Sequence, residues 1–403
     1  MVNGLHVDLP FLKLEDIVDK VERYERGETR EPLSQRELNN ILSRTFGPTA
    51  DLLMLAKGKN EKDIFNYVTS LSINARFADT IEDEERTISE KLDAFRRLSM
   101  IYGKIDLSDI DVEELIKTDL DELVKDVLKG ALDRKEELFI KQFGIGNTLR
   151  ELRNYKPSIR NVISKLSLGT MIDGMSFYID KRKLETIDEL RHYCYFVAGT
   201  VGDGLNRIVQ IEDGETLNFN NARSMGAYVQ LTNILKNLCE DKKLKDYRIK
   251  FIPDELHVGM SHDELFDQTT EYAIKMRERV LEGILSVADE YFQSAAQYVI
   301  DIPRRIPSYS AFCDVALLLS RETLKLIRKS GAERVFHGEE SAIKVSRPLV
   351  DNVVSFTYRG VQIDDGIKLI NFLNDYRKNP DQYSFEPGEC DKWALDVLGL
   401  KAA

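Results

Sequence analysis

Apolar residues recur along most of this chain at intervals of three and four, the spacing that gathers them on one face of an α-helix. Strict alternation, the mark of a half-buried strand, is scarce, and only 10 prolines interrupt the pattern. The periodicity predicts a nearly all-helical chain. It places first helices within about 10–70, a strong helix over about 61–83, and others over about 157–182, 187–211, 219–241, 261–298, 309–330 and 346–377. The acid-rich run from Asp106 to Asp126 reads as a solvated helix with the turn before it. No Ser/Gly-rich linker and no internal repeat divides the chain, so residues 1–380 are expected to form one domain. The turn-rich stretch after Asn379 predicts a peripheral C-terminal tail over 381–403.

Composition narrows the function classes. The chain has 403 residues, 42% of them hydrophobic and 31% charged, as a folded globular protein requires. Its net charge is -12, so no positive field exists to displace counterions from nucleic acid, and no nucleic-acid partner is expected. Small diphosphates held through metal ions remain compatible with that charge. The four cysteines form no CxxC pair and the five histidines no ligand spacing, which points to a reducing, cytoplasmic setting without zinc or disulfides. The N-terminus lacks a basic segment followed by an apolar run, so no secretory signal is expected. No run of 18 apolar residues predicts a membrane span.

Two polar stripes on otherwise apolar helices carry the candidate chemistry. In the first, Ser72, Arg76, Asp79 and Asp83 step by 4, 3 and 4 and share a face, with Glu82 beside them. Adjacent carboxylates repel unless a cation lies between them, and Mg²⁺ takes a few carboxylates plus water and phosphate oxygens. Arg76, one turn earlier, is placed to reach the same phosphate. A merely solvated acidic face would give the same residues. In the second, Gly226, Gln230, Asn233, Asn237 and Asp241 step by 4, 3, 4 and 4 among Met225, Tyr228, Val229, Leu231, Ile234, Leu235 and Leu238. Burying amides and a carboxylate there is costly without partners. Glu240 adds a second acid. The two readings are a buried amide network between helices and one half of a metal–diphosphate site, facing the first stripe at the mouth of an apolar bundle.

Between them lies LRHYCYFVAGTVGDGLNRI, with Ala198, Gly199, Gly202 and Gly204 inside a helical pattern. Each interior glycine costs about 1 kcal/mol relative to alanine, so the segment needs close approach to another helix or to a ligand. Gly169 and Gly174 repeat the pattern upstream. Tyr193 shares a side with Val197 and Thr200, where a phenol beside a forming carbocation could donate a hydrogen bond or shuttle a proton.

Together these residues resemble the squalene/phytoene synthase family, and within it the longer squalene synthases, from about Ser43 to Arg347. The segment SRTF is similar to the family's SRSF motif, which marks Ser43, Arg44 and Phe46 as substrate contacts. Asp79 to Asp83 (DTIED) matches the first Asp-rich motif, with Arg76 at the preceding turn. YCYFVAGTVG from Tyr193 is similar to the YC-x-YVAG-x-VG signature, whose first Tyr is regarded as catalytic. SMGAYVQLTNILKNLCED matches the second Asp-rich motif and its approach. The resemblance implies the all-α class I isoprenoid synthase fold, a helical bundle around a central apolar cavity. It implies Mg²⁺-dependent head-to-head condensation of two farnesyl diphosphates to presqualene diphosphate, followed by NADPH-dependent conversion to squalene.

By the same resemblance Tyr193, Asp79, Asp83 and Arg76 are catalytic, and Asp79, Asp83, Asn237, Glu240 and Asp241 hold Mg²⁺. Arg76, Val201, Met225, Gln230, Asn233 and Lys236 would meet substrate. VFHGEESAIKVSRPL resembles the flap that contacts NADPH, which nominates Lys344 and Arg347, with Asn233 and Arg76 nearby. No GxGxxG fingerprint supports a Rossmann site. The resemblance also implies a monomer that touches membranes only peripherally, to release product; the C-terminal anchor of eukaryotic squalene synthases has no counterpart in this sequence. The chain departs from the family at three places: Asn237 stands for an Asp, Ser72 for a Tyr, and Ser346 for an Arg in the flap, where two extra residues precede Lys344. Asn237 and Ser72 leave open a single-substrate, terpene-synthase-like activity. A non-catalytic subunit that binds prenyl diphosphates is the third reading.

Overall fold

The computed structural model describes residues 23, 26, 28, 59–83, 86–105, 111–128, 145–241, 251–338, 343–363 and 366–399. Ser43, Arg44 and Phe46, and nearly all of the early helices expected before residue 59, lie outside the described residues. Within them the chain is helical and contains no strand. No described helix is long and apolar enough to cross a membrane.

Helix α1 is Lys59–Asp83 and α2 is Ile88–Ile105. The turn between them closes on Thr87, whose main-chain N–H donates to Glu90 (3.0 Å) while its hydroxyl accepts from the Glu90 N–H (3.3 Å), a reciprocal N-terminal cap. Helix α3 comprises Val112–Leu115, the π turn Ile116–Leu120 and Asp121–Leu128; α4 is Ile145–Asn154. Helix α5 joins Pro157–Asn161, the π segment Val162–Gly169 and Thr170–Lys181. Helix α6 joins Ile187–Cys194, the π turn Tyr195–Gly199 and Thr200–Asp213. Then follow α7 (Phe219–Asp241), α8 (Glu271–Asp301), α9 (Pro307–Ser330), α10 (Arg347–Gln362), α11 (Ile367–Lys378) and α12 (Cys390–Leu398).

Two expected helices are interrupted and a third changes its winding. The stretch 261–298 begins as expected at His262, capped by Ser261, and splits after Asp267 because the Thr270 hydroxyl caps a second helix start at α8. The stretch 346–377 splits because Gly366 takes φ 77°, a conformation that glycine reaches without strain. The stretch 187–211 continues through the π turn, which inserts one extra residue per turn and re-aims the side chains after it.

The glycines of α6 set how the helices meet. A Cβ on Gly202 would stand 2.3 Å from the Ala222 carbonyl oxygen, and one on Gly226 would stand 2.2 Å from that of Ala198. Backbone therefore packs on backbone between α6 and α7, and the close-approach requirement of these glycines is met by a neighbouring helix. Residue numbers fall along α6 as they rise along α7, so the two are antiparallel. On α6, Gly204 packs against Leu71 of α1, and Tyr193 reaches Glu82. That register makes α1 antiparallel to α6 as well. Helices α1 and α7 thus flank α6, run in the same direction and finish at the same end of the bundle. Helix α9 packs on both of them and completes a ring of four. The Ser308 hydroxyl at its start donates to Glu61 of α1 (3.0 Å). Gly226→Ala is expected to destabilise the protein by about 1–3 kcal/mol, because backbone cannot retreat from the new methyl group as a flexible side chain could. Urea unfolding would measure this, and an unchanged midpoint would contradict the packing.

The C-terminal segment corrects an expectation. Residues 381–399 are not a peripheral tail. Phe385, Cys390, Ala394 and Leu398 are fully buried, and the Trp393 ring stacks on Phe372 of α11 (5.3 Å between centroids) and meets Phe356 of α10 edge-on. The turn residues from Pro380 to Gly388 conceal the apolar positions that follow, which acquire a helical period only in α12.

Candidate active site

The last turn of α1 divides its acids. Arg76, Asp79 and Asp83 are partly exposed, and the Arg76 guanidinium pairs with the Asp79 carboxylate. Ser72, one turn further in, is buried, so the stripe runs from the interior to the surface. Glu82 points the other way. It is 5% exposed, and both of its carboxylate oxygens accept from the Tyr193 hydroxyl, at 3.0 and 3.2 Å. Burial, reinforced by the Asp79 and Asp83 carboxylates, pushes Glu82 up to about 8, against the opposing pull of the Tyr193 hydroxyl and the Lys91 ammonium. Burial together with the Glu82 charge raises Tyr193 well above the ordinary phenol range, so its hydroxyl remains a donor. The Tyr193 ring meets Tyr178 edge-on (5.5 Å) and tilts against Phe251 (5.0 Å), which fixes its plane.

The antiparallel register of α6 and α7 sets Gln230 and Asn233 beside the turn of α6 that carries Tyr193. Both are partly buried, as is Asn237, and the Lys236 ammonium donates to the Asn233 side-chain carbonyl (3.3 Å). Met225 is buried and Val201 partly so. The backbone of Glu240 and Asp241 belongs to α7, while their side chains lie outside the described residues. The structure therefore joins Tyr193 to the first stripe directly and carries the second stripe to the same end of the bundle. Lys344 and Arg347 lie on the exposed surface at the start of α10, where Arg347 pairs with Asp351 (3.3 Å). Ser346, at the position where the flap departs from the family, caps α10 by accepting from the Leu349 N–H.

Among the described residues no group of three or more His, Cys, Asp or Glu side chains is arranged to hold a metal ion. Glu82 is spent on Tyr193, which leaves Asp79 and Asp83 as the hard oxygen donors at this end of α1, one helical turn apart. Two carboxylates fit a Mg²⁺ ion that keeps its other positions for water and phosphate.

Two participants escaped the sequence reading. Lys91 is 1% exposed on the inner face of α2, and its ammonium donates to the Glu82 main-chain carbonyl. Its signal was present: Lys91 occupies the apolar face that continues through Ala94, Phe95, Leu98, Ile101, Tyr102 and Ile105. Phe251 gave no signal, because a lone aromatic after a charged stretch has no periodic context. Beneath α1, Tyr102 donates to the Asn74 side-chain carbonyl (2.5 Å), and the Asn74 amide donates to the Ser70 main-chain carbonyl (2.7 Å), which fixes this buried amide at both ends.

Comparison with known proteins bears on this geometry. A family model described as squalene/phytoene synthase matches residues 65–348. Squalene synthase from Eremothecium gossypii is 26% identical over 368 residues, which cover 88% of this chain and 74% of that protein. Squalene synthase 2 from Panax ginseng is 28% identical over 208 residues, covering 50% of this chain and 46% of that protein, so the chain spans about half the length of this plant relative. A solved structure of TcSQS with a bound ligand has the same fold, with a TM-score of 0.61 at 18% identity, over 90% of this chain and 96% of that one. The fold is thus the helical class I isoprenoid synthase bundle.

Proposed function

The chain belongs to the squalene/phytoene synthase family, and we propose that it joins two farnesyl diphosphates head-to-head to presqualene diphosphate with Mg²⁺, and converts that to squalene with NADPH. The observation that carries the reading is the hydrogen bond from Tyr193 of α6 to Glu82 at the acid-bearing end of α1. It ties the phenol to the turn that presents Asp79 and Asp83, at the end of the bundle to which α7 brings Asn233 and Asn237. Bound Mg²⁺ supplies Lewis-acid stabilisation of the departing diphosphate. Asp79 and Asp83 hold the ion, and Arg76 and Lys236 add positive charge for the phosphate oxygens. Tyr193, fixed by Glu82 and by its aromatic neighbours, offers an oriented hydroxyl for the organic part of the reaction. Lys344, Arg347 and Asn233 are the candidates for NADPH. A cytoplasmic enzyme, monomeric and touching membranes only to release product, follows from the same reading.

The test is incubation of the full chain with farnesyl diphosphate and Mg²⁺, with and without NADPH, followed by product analysis. Presqualene diphosphate without NADPH and squalene with it are expected. A C15 alcohol or cyclic hydrocarbon would replace the proposal with single-substrate chemistry. Complete inactivity towards prenyl diphosphates would leave a binding subunit. At limiting Mg²⁺, Asn237→Asp is expected to keep or raise the rate, since an anionic oxygen attracts the ion more strongly than a neutral one. A large loss in that variant would show that the amide itself is required.

A further inference from the structure

We infer that Lys91 is a positioning residue, whose buried ammonium locks the last turn of α1 and thereby aims the Tyr193 hydroxyl and the two aspartates of the site. The inference rests on the proposed reading of Tyr193, Asp79 and Asp83, and it assigns a role to a residue outside every motif. Lys91 occupies a position on α2 that an apolar residue would fill for packing alone. Taking an ammonium out of water costs several kcal/mol unless strong partners replace the solvent. Here the partner is the main-chain carbonyl of Glu82, among the last carbonyls of α1, which no intrahelical N–H serves. A cation at a helix C-terminus also opposes the negative end of the helix dipole.

Glu82 is therefore held at two points. Lys91 holds its backbone from the α2 side, and Tyr193 holds its carboxylate from the α6 side. Asp83 follows it directly, and Asp79 precedes it by less than a turn. The orientation of all three acids depends on that turn remaining closed. Helix termini fray first, and this one ends at Asp83 with no basic residue of its own in the last turn. Lys91 supplies from the next helix the cation that α1 lacks.

The test compares the full-length protein with Lys91→Met, which keeps length and loses the charge, and Lys91→Arg, which keeps the charge. Turnover of farnesyl diphosphate is one readout. The other is the tyrosine ¹³Cζ resonance of Tyr193 in metal-free, substrate-free protein, identified by its disappearance in Tyr193→Phe. In Lys91→Met, kcat is expected to fall about a hundredfold with KM nearly unchanged, as for a displacement of about an ångström at the reacting groups. The Tyr193 resonance is expected to move, and Lys91→Arg to restore both. A Lys91→Met protein that melts earlier but keeps kcat and the Tyr193 resonance would overturn the inference and leave Lys91 a structural residue only. If Lys91→Met does not fold, Lys91→Gln, neutral but still able to donate, carries the same two readouts. If the wild type makes no product while the resonance still responds to Lys91, the proposed reaction fails and the tether stands. If the wild type is active and neither readout responds, the tether fails alone.

Discussion

Replacing Asp79 by asparagine is expected to lower turnover of farnesyl diphosphate by about a hundredfold to a thousandfold, the range seen when one preorganised group that stabilises developing charge is removed. Asp79 and Asp83 are the two acids in the last turns of α1 that face outward, because Glu82 is committed to Tyr193. Asparagine keeps the shape and one oxygen but removes the charge that would hold Mg²⁺ and that now anchors Arg76. Two cationic demands are therefore lost in one substitution. The fold is expected to survive, since Asp79 is partly exposed at the end of α1. Initial rates at saturating Mg²⁺, with far-ultraviolet circular dichroism as a control, would decide the matter. Full activity in Asp79→Asn would remove the first stripe from the site.

Arg304→Met is expected to produce the largest loss of stability, about 3–5 kcal/mol, because it strands a charge in the interior. Asp314 of α9 is fully buried, and one of its carboxylate oxygens receives the Arg304 guanidinium at 3.0 Å and the Ser310 hydroxyl at 3.3 Å. The other oxygen has no hydrogen-bond partner among the described residues. Burial pushes Asp314 up to about 6 even with Arg304 and Ser310 pulling the other way. A carboxyl whose folded value lies above its unfolded one binds protons more tightly in the native state, so this group's contribution falls as pH rises from about 4 through 6. Without Arg304 that preference for the proton strengthens. The variant should be worst at pH 8 and recover part of its loss at pH 5. Chemical denaturation at both values would measure this; a pH-independent loss would mean that Asp314 is not the stranded group.

Much of this molecule could be read in one dimension. Helix α7 spans Phe219–Asp241, as its period predicted, because its apolar and polar positions both repeat at helical spacing with no turn residue between. The inside-to-outside run of Ser72, Arg76, Asp79 and Asp83 was legible for the same reason. The breaks near Thr270 and Gly366 were missed because a cap or a left-handed glycine ends a helix without disturbing the apolar count. The C-terminal helix was missed because Trp393 and Phe385 pack on Phe356 of α10 and Phe372 of α11 as well as on each other, and those distant partners leave no period in their own segment.

What the sequence by itself determined is therefore the set of helices, their polar stripes and the chemical character of each stripe, since all three depend on neighbours within a few residues. Only the tertiary structure decided which acid does what. Glu82 and Asp83 are adjacent in the chain and alike in chemistry, yet a helix turns successive side chains by about 100°, so one enters the interior and the other faces solvent. Tyr193 meets Glu82 across 111 residues, and Lys91 meets the same residue's backbone from a third helix. No local pattern encodes those meetings. The first follows from glycine contacts that bring α6 against both flanking helices, and the second from the fold-back of α2 on α1.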